Sequence, residues 1–332
     1  MKKQTAKTKE GANPYKYELK KIDGSKIEIT GSIDLEFFAS FRKQALENIN
    51  NEITIDGFRK GKVPENIIVS KVGDMTILEE MAELALSKAY PEIVISEKID
   101  AIGRPEISVT KLALDNPLEF KIVTTVIPEV KLGDYKKLSK EINSKPEEKF
   151  EVTEKEVEDA IKKIKDSHAD HEGHDHDSPE SKEEVKKYLL ENKKIQAVEK
   201  RRIAISDALI SSSKIDVPEI LIESETKRTE AQFTDDINRM GVKLEDYLKH
   251  AKKTIEEIRS EWKPHAEKKA KLQLILNEIV KLEKIAVDIK EIDEEVKHIL
   301  AHYKDADPER AFAYAETVLT NEKAYQFLEG IK

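Results

Sequence analysis

The run Gly57-Phe58-Arg59-Lys60-Gly61-Lys62-Val63-Pro64 gathers cations, an aromatic ring and glycines with no acidic residue among them. Arg59 can hydrogen-bond a phosphate through two parallel N–H groups, Lys60 and Lys62 add point charges, and Phe58 offers a face for stacking or for filling a pocket. Gly57 and Gly61 admit backbone angles closed to other residues and let the chain approach a partner, while Pro64 suits the first turn of a following helix. This is recognition of an anionic surface, and the combination fits an RNA or ribonucleoprotein face better than a small ligand.

A second group is His168, His171, His174 and His176, interleaved with Asp170, Glu172, Asp175 and Asp177. Imidazole and carboxylate are both acceptable donors to zinc, nickel or copper, but no apolar pattern flanks the run to orient the ligands. The run is read as a solvated, disordered connector, with these four histidines as weak metal candidates. His298 and His302 stand four apart on one helix face and, with no third donor spaced nearby, read as a surface pair. No Gly-x-x-x-x-Gly-Lys-Ser/Thr loop or Gly-x-Ser-x-Gly elbow occurs, so no catalytic residue and no cofactor are assigned.

The elements that must position the cationic loop are legible on both sides of it. Tyr15, Tyr17 and Leu19 alternate with charged residues, and Asp23-Gly24 before Ile27 and Ile29 predicts a hairpin on a tight turn. Asp34 is placed to cap a helix in which Phe38, Phe41, Ala45 and Ile49 recur at helical spacing. After the loop, Thr76 and Glu79 have capping-box spacing, and Ile77, Met81 and Leu84 beside Leu78, Ala82, Ala85 and Ala89 give a wide apolar face. The loop therefore falls at the tip between two helices. Alternation at Ile107, Val109 and Lys111, and again at Phe120, Ile122, Thr124 and Val126, predicts two further strands.

In these residues the sequence resembles bacterial trigger factor, the chaperone that sits where nascent chains leave the large ribosomal subunit. Gly-Phe-Arg-Lys-Gly-Lys-Val-Pro is similar to that family's ribosome-docking signature, and Leu132-Gly133-Asp134-Tyr135 resembles the family pattern closing its first region. The resemblance covers roughly Tyr15 to Lys165 and Glu183 to Lys332. It implies Gly57, Phe58, Arg59, Lys60, Gly61 and Lys62 as ribosome-binding residues. The implied partners are the large ribosomal subunit near the exit tunnel, both protein and rRNA, and nascent or unfolded polypeptides; a homodimer off the ribosome is also allowed. Full-length members carry an FKBP-like peptidyl-prolyl isomerase domain between the two blocks, whereas here only Asp166 to Lys182 occupies that place, and no Phe, Tyr or Trp occurs between Phe150 and Tyr188. The resemblance thus supports a chaperone without the isomerase. The alternatives are a peptidyl-prolyl isomerase with a cryptic pocket and an RNA- or metal-binding adaptor.

A holding chaperone also needs apolar surface. Phe233, Met240, Tyr247, Leu248, Tyr303, Phe312 and Tyr314 lie in the helical half on patterns too sparse to fill a core unaided, and are the candidate client contacts. Each large side chain is worth at most about 1.5–3 kcal/mol when fully buried, which suits weak, reversible holding.

Composition bounds these readings. The 332 residues suffice for two or three domains, and a net charge of −9 excludes a wholly basic nucleic-acid binder, so any RNA contact must come from a local patch. Cysteine is absent, which removes disulfides and thiol chemistry. No apolar run approaches the roughly 20 residues of a membrane span. Lys2, Lys3, Lys7 and Lys9 precede no apolar segment, so the start reads as a disordered leader and the protein as cytoplasmic.

The expected fold is an α+β N-terminal ribosome-binding domain over 1–128, a linker over 129–151, and an elongated all-α chaperone domain with helical arms over 152–332, its connector at 166–182. Capping-box spacing marks helix starts at Thr153, Ser181, Asp216 and Thr254. Apolar stripes run through Val157, Ala160, Ile161 and Ile164, through Ile195, Val198, Ile205 and Leu209, and through Leu272, Ile275, Leu276 and Ile279. Gly241 is expected to end the helix begun near Pro218, and Pro264 to kink or break its helix near Trp262. The last helices are expected from about Asp288 to His302 and Asp307 to Gly330.

Overall fold

The computed structural model describes residues 14–145, 151–168, 182–303 and 306–332, with side chains of 164–168 left undescribed. The chain divides into two compact units, one formed by residues up to Glu129 with Asp216–Glu267, the other by Val130–Ile215 with Lys268–Lys332.

In the first unit, β1 (Tyr15–Ile22), β2 (Lys26–Ile33), β3 (Ala101–Lys111) and β4 (Leu118–Val126) make an antiparallel sheet in the order β1-β2-β4-β3. The β1–β2 turn is the tight hairpin that Asp23-Gly24 predicts, with Ile22 paired to Lys26 and both Gly24 and Ser25 at positive φ. Helices α1 (Leu35–Ala39), α2 (Arg42–Glu52) and α3 (Glu65–Ser96) share the sheet's core. Ile29, Ile33, Leu118, Phe120 and Ile122 pack there with Phe38, Ala45, Ile49, Ile77, Met81 and Ala85. Thr124 is fully buried, and its hydroxyl is satisfied by the Tyr90 hydroxyl at 2.8 Å. In β3 the alternation holds in register, Ile107 opposite Ile122 and Val109 opposite Phe120. Both nevertheless stay exposed, because β3 is an edge strand flanked on one side only.

This unit also holds α7 (Glu219–Arg239), α8 (Leu244–Ala251) and the first part of α9 (Ile255–Glu283). Arg259 on α9 grips Glu230 on α7 through two N–H···O bonds of 2.7 Å, which hold the Glu230 carboxyl below its ordinary range. Thr254 and Glu257 form the expected capping box at the start of α9. Gly241, at positive φ, follows the end of α7 as expected.

The second unit contains α4 (Tyr135–Asn143), α5 (Glu154–His168), α6 (Lys182–Ser212), the remainder of α9, α10 (Ile289–His302) and α11 (Pro308–Glu329). Its core joins Ile205 and Leu209 of α6, Ile275, Leu276 and Ile279 of α9, and Ala324 and Leu328 of α11. Arg202 spans to Glu322 and Glu329 at 2.6 and 2.9 Å, over the face of Tyr325. The two carboxylates raise the guanidinium's pKa, and Arg202 lowers that of Glu322. Asp288 and Asp307 cap α10 and α11 through backbone N–H groups of Lys290 and Arg310, where the sequence places those helix starts.

Several expectations are corrected. The stretch read as a linker over 129–151 carries α4, whose Tyr135 and Ile142, with Val130 and Leu132, pack on the second unit's core. Residues 216–267 group with the sheet domain instead of with the remaining helices. The reason is visible at Asp216, whose carboxylate accepts the Gly24 and Ser25 N–H groups at 2.9 and 3.1 Å and so is not free to cap a helix. Thr76 likewise caps nothing: it lies inside α3, where the helical path is broken at Gly73, whose φ of 83° only glycine adopts readily. The single helix expected over Phe38 to Ile49 is split into α1 and α2, and Asp34 pairs with Lys16 without capping through its side chain. In the α6 stripe only Ile205 and Leu209 are buried, while Ile195 and Val198 are 51% and 41% exposed. Pro264 lies within α9, which continues through it without a break. The N-terminal leader, Ser181 and most of the connector lie outside the described residues.

Candidate functional site

The cationic loop is held by the two helices the sequence assigns to it. Helix α2 ends at Glu52, Pro64 is the N-cap residue of α3, and between them the chain turns at Gly57 and Gly61, with φ of 87° and 79°. The turn is closed by its own backbone, Phe58 N–H donating to Ile55 O at 3.1 Å and Lys62 N–H to Arg59 O at 2.9 Å. Asn50, in the last turns of α2, ties the loop to the body. Its carbonyl accepts from Gly61 N–H at 3.0 Å, its Oδ1 accepts from Val63 N–H at 3.1 Å, and its Nδ2 donates to Val63 O at 3.1 Å.

Val63 is buried in the core while Phe58, Arg59, Lys60 and Lys62 are exposed, so one residue anchors the loop and the others are presented. Phe58 keeps 40% of its surface in solvent. Among the described residues none of Arg59, Lys60 and Lys62 makes an ion pair, in contrast to nearby Arg42, which reaches Glu65 at 3.3 Å. A fixed turn bearing uncompensated cations and an open ring can meet an anionic partner without first breaking internal bonds. Asn50 was not found by sequence reasoning; its signal, an amide residue in the last turns before a glycine-rich loop, is too common to stand out.

The candidate client contacts separate into two sets. In the first unit Phe233 stacks edge-on against Tyr247, centroids 5.3 Å apart, and against Trp262 at 5.1 Å, so α7, α8 and α9 share one aromatic cluster. Trp262 belongs to it although the sequence singled that residue out only as a kink position. Met240 is 78% exposed and Leu248 half-buried. In the second unit Tyr303, Phe312 and Tyr314 are all exposed. His168 ends α5, whereas His171, His174 and His176 lie outside the described residues. Among the described residues no group of three or more His, Asp or Glu side chains could hold a metal ion, and no helix is long and apolar enough to cross a membrane.

Two family models match, "Bacterial trigger factor protein (TF)" over residues 15–164 and "Bacterial trigger factor protein (TF) C-terminus" over 179–328. Trigger factor of Natranaerobius thermophilus is 35% identical over 152 residues, which cover 46% of this chain and 33% of that protein. That of Halothermothrix orenii is 25% identical over 406 residues, covering 90% of this chain and 93% of the relative. Because that alignment is longer than this 332-residue chain, the relative carries residues with no counterpart here. A solved structure described as "Promiscuous Substrate Recognition in Folding and Assembly Activities of the Trigger Factor Chaperone" superposes with a TM-score of 0.55 at 17% identity, covering 95% of this chain and 100% of the other, a likeness of fold. With both halves of the family's pattern present in order along one chain, the protein belongs to the bacterial trigger factor family.

Proposed function

We propose that this chain is an ATP-independent molecular chaperone of the cytoplasm that docks at the ribosomal exit through Gly57–Lys62 and shields nascent or unfolded polypeptides with apolar surface on its helices. The observation carrying the docking half is the loop itself: exposed, anchored through Asn50 and Val63, and bearing Arg59, Lys60 and Lys62 without ion-pair partners among the described residues. Exposed Met240, Tyr247, Tyr303, Phe312 and Tyr314 support the holding half. Docking raises the local concentration of chaperone beside the emerging chain, so each apolar contact can stay weak enough to release. The reading is non-enzymatic: the family models match the two flanking parts, and nothing between Phe150 and Tyr188 supplies the aromatic residues of an isomerase pocket.

The test is cosedimentation of the purified chain with vacant and translating ribosomes, with bulk RNA as competitor. Specific docking predicts a saturable complex that a large excess of RNA does not remove. Binding lost to bulk RNA at the same rate as to salt would instead indicate a general RNA-binding adaptor.

A further inference from the structure

The last two turns of α10 hold a pair of histidines that the proposed chaperone function does not use. His298 and His302 are exposed, and their ring centres lie 4.7 Å apart at an interplanar angle of 61°. We propose that this pair is a binding site for a borderline divalent transition ion, Cu2+, Ni2+ or Zn2+. The spacing carries the proposal. With metal–nitrogen bonds of about 2.0–2.1 Å, two imidazoles held side by side on one ion have ring centres roughly 4.5–5 Å apart. The helix backbone therefore holds the two rings at the separation that chelation requires, and turning a nitrogen of each toward one ion asks only for rotation of two exposed side chains.

Histidines four apart on a helix share one face, which is how a helix offers two imidazoles to one zinc ion. No third protein donor joins them among the described residues, so water completes the coordination sphere. A two-imidazole site of this kind ranks the ions by the general order of divalent stability, Cu2+ above Ni2+ and Zn2+. His302 is the last residue of α10, and Tyr303 caps the helix through its N–H to Ile299 O at 2.8 Å. An ion bridging His298 and His302 staples the terminal turn and favours its folded form, because the ligands come together only while the turn is helical.

The test uses the full chain with His168, His171, His174 and His176 replaced by serine, so that the histidine-rich run cannot bind, titrated with CuCl2 by calorimetry. One ion per chain is expected, and the His298→Ala/His302→Ala variant should lose at least tenfold in affinity. Lys297→His/His298→Ala keeps two histidines but sets them five apart, off a common face, and should lose as much. His250→Ala/His265→Ala should bind as the parent does. A parent that takes up no ion, or an off-face pair that binds as tightly as the native one, overturns the proposal. Should the serine chain fail to fold by circular dichroism, the same variants in the native chain must bind one ion fewer than wild type; an unchanged stoichiometry overturns it equally.

Discussion

Asn50 does more for the cationic loop than its place outside the signature suggests. Its amide closes a reciprocal pair with the Val63 backbone, and its carbonyl fixes Gly61, so the loop's shape is carried by a residue that faces inward. Two variants should therefore lose ribosome binding, one wholly and one in part, for different reasons. Phe58→Ala/Arg59→Ala/Lys60→Ala removes exposed side chains and should keep stability within about 0.5 kcal/mol of wild type while abolishing cosedimentation. Asn50→Ala leaves part-buried backbone groups of Val63 unpaired, which costs about 1–3 kcal/mol in denaturant unfolding, and should weaken docking although no contact residue has changed. Ribosome binding that survives the triple change in a folded protein would remove the docking assignment. The exposed cations and ring of the loop were legible because their types carry their chemistry. Asn50 was not, since an amide's partner thirteen residues away is set by the fold and leaves no mark in the local sequence.

Spacing rules succeeded for some elements and failed for others with the same letters. Thr153 with Glu156 and Thr254 with Glu257 form real capping boxes, each threonine N–H donating to its glutamate at 2.8 Å. Thr76 and Asp216 have the same spacing but spend their side chains on Val72 and on the β1–β2 turn. The latter partners are almost two hundred positions away, so nothing near Asp216 announces them. Similarly, the apolar stripe of α6 identifies a helix but not how far along it the covering helices reach. At the start of α5 the capping box has a pH consequence. Lys193 on α6 and the Thr153 backbone N–H both bond Glu156, holding its carboxyl near 2 against an ordinary 4.5. A pKa lowered in the folded state means the contribution to stability is present above about pH 4.5 and is lost as pH falls through about 2. Amide chemical shifts of α5 followed between pH 6 and 2 should show the helix start fraying in that window. Glu156→Gln should flatten the profile, and an unchanged profile in that variant would show the pair to be idle.

At the scale of the molecule, each unit buries a core of its own, and the chain visits the first unit twice. Sequence reading found the sheet domain and the helical remainder. It could not assign 216–267, because membership there rests on long-range contacts such as Asp216 with Gly24 and Ser25. It also mistook α4 for a linker, since a nine-residue helix between charged and proline-rich flanks has too few apolar positions to show a period. The last prediction is that the chain suppresses aggregation of unfolded clients without accelerating prolyl isomerisation. Rotation about an X–Pro bond faces a barrier of about 18–20 kcal/mol, and lowering it requires a preorganised pocket that favours the twisted amide. The segment from Asp166 to Lys182 is charged and histidine-rich, with no Phe, Tyr or Trp to line such a pocket. Holding asks only for exposed apolar side chains, which both units present. A proline-limited refolding assay should therefore run at its uncatalysed rate in the presence of the chain, while aggregation of a proline-free client is suppressed in the same buffer. Acceleration that saturates with substrate and persists after removal of trace isomerases would overturn the non-enzymatic reading.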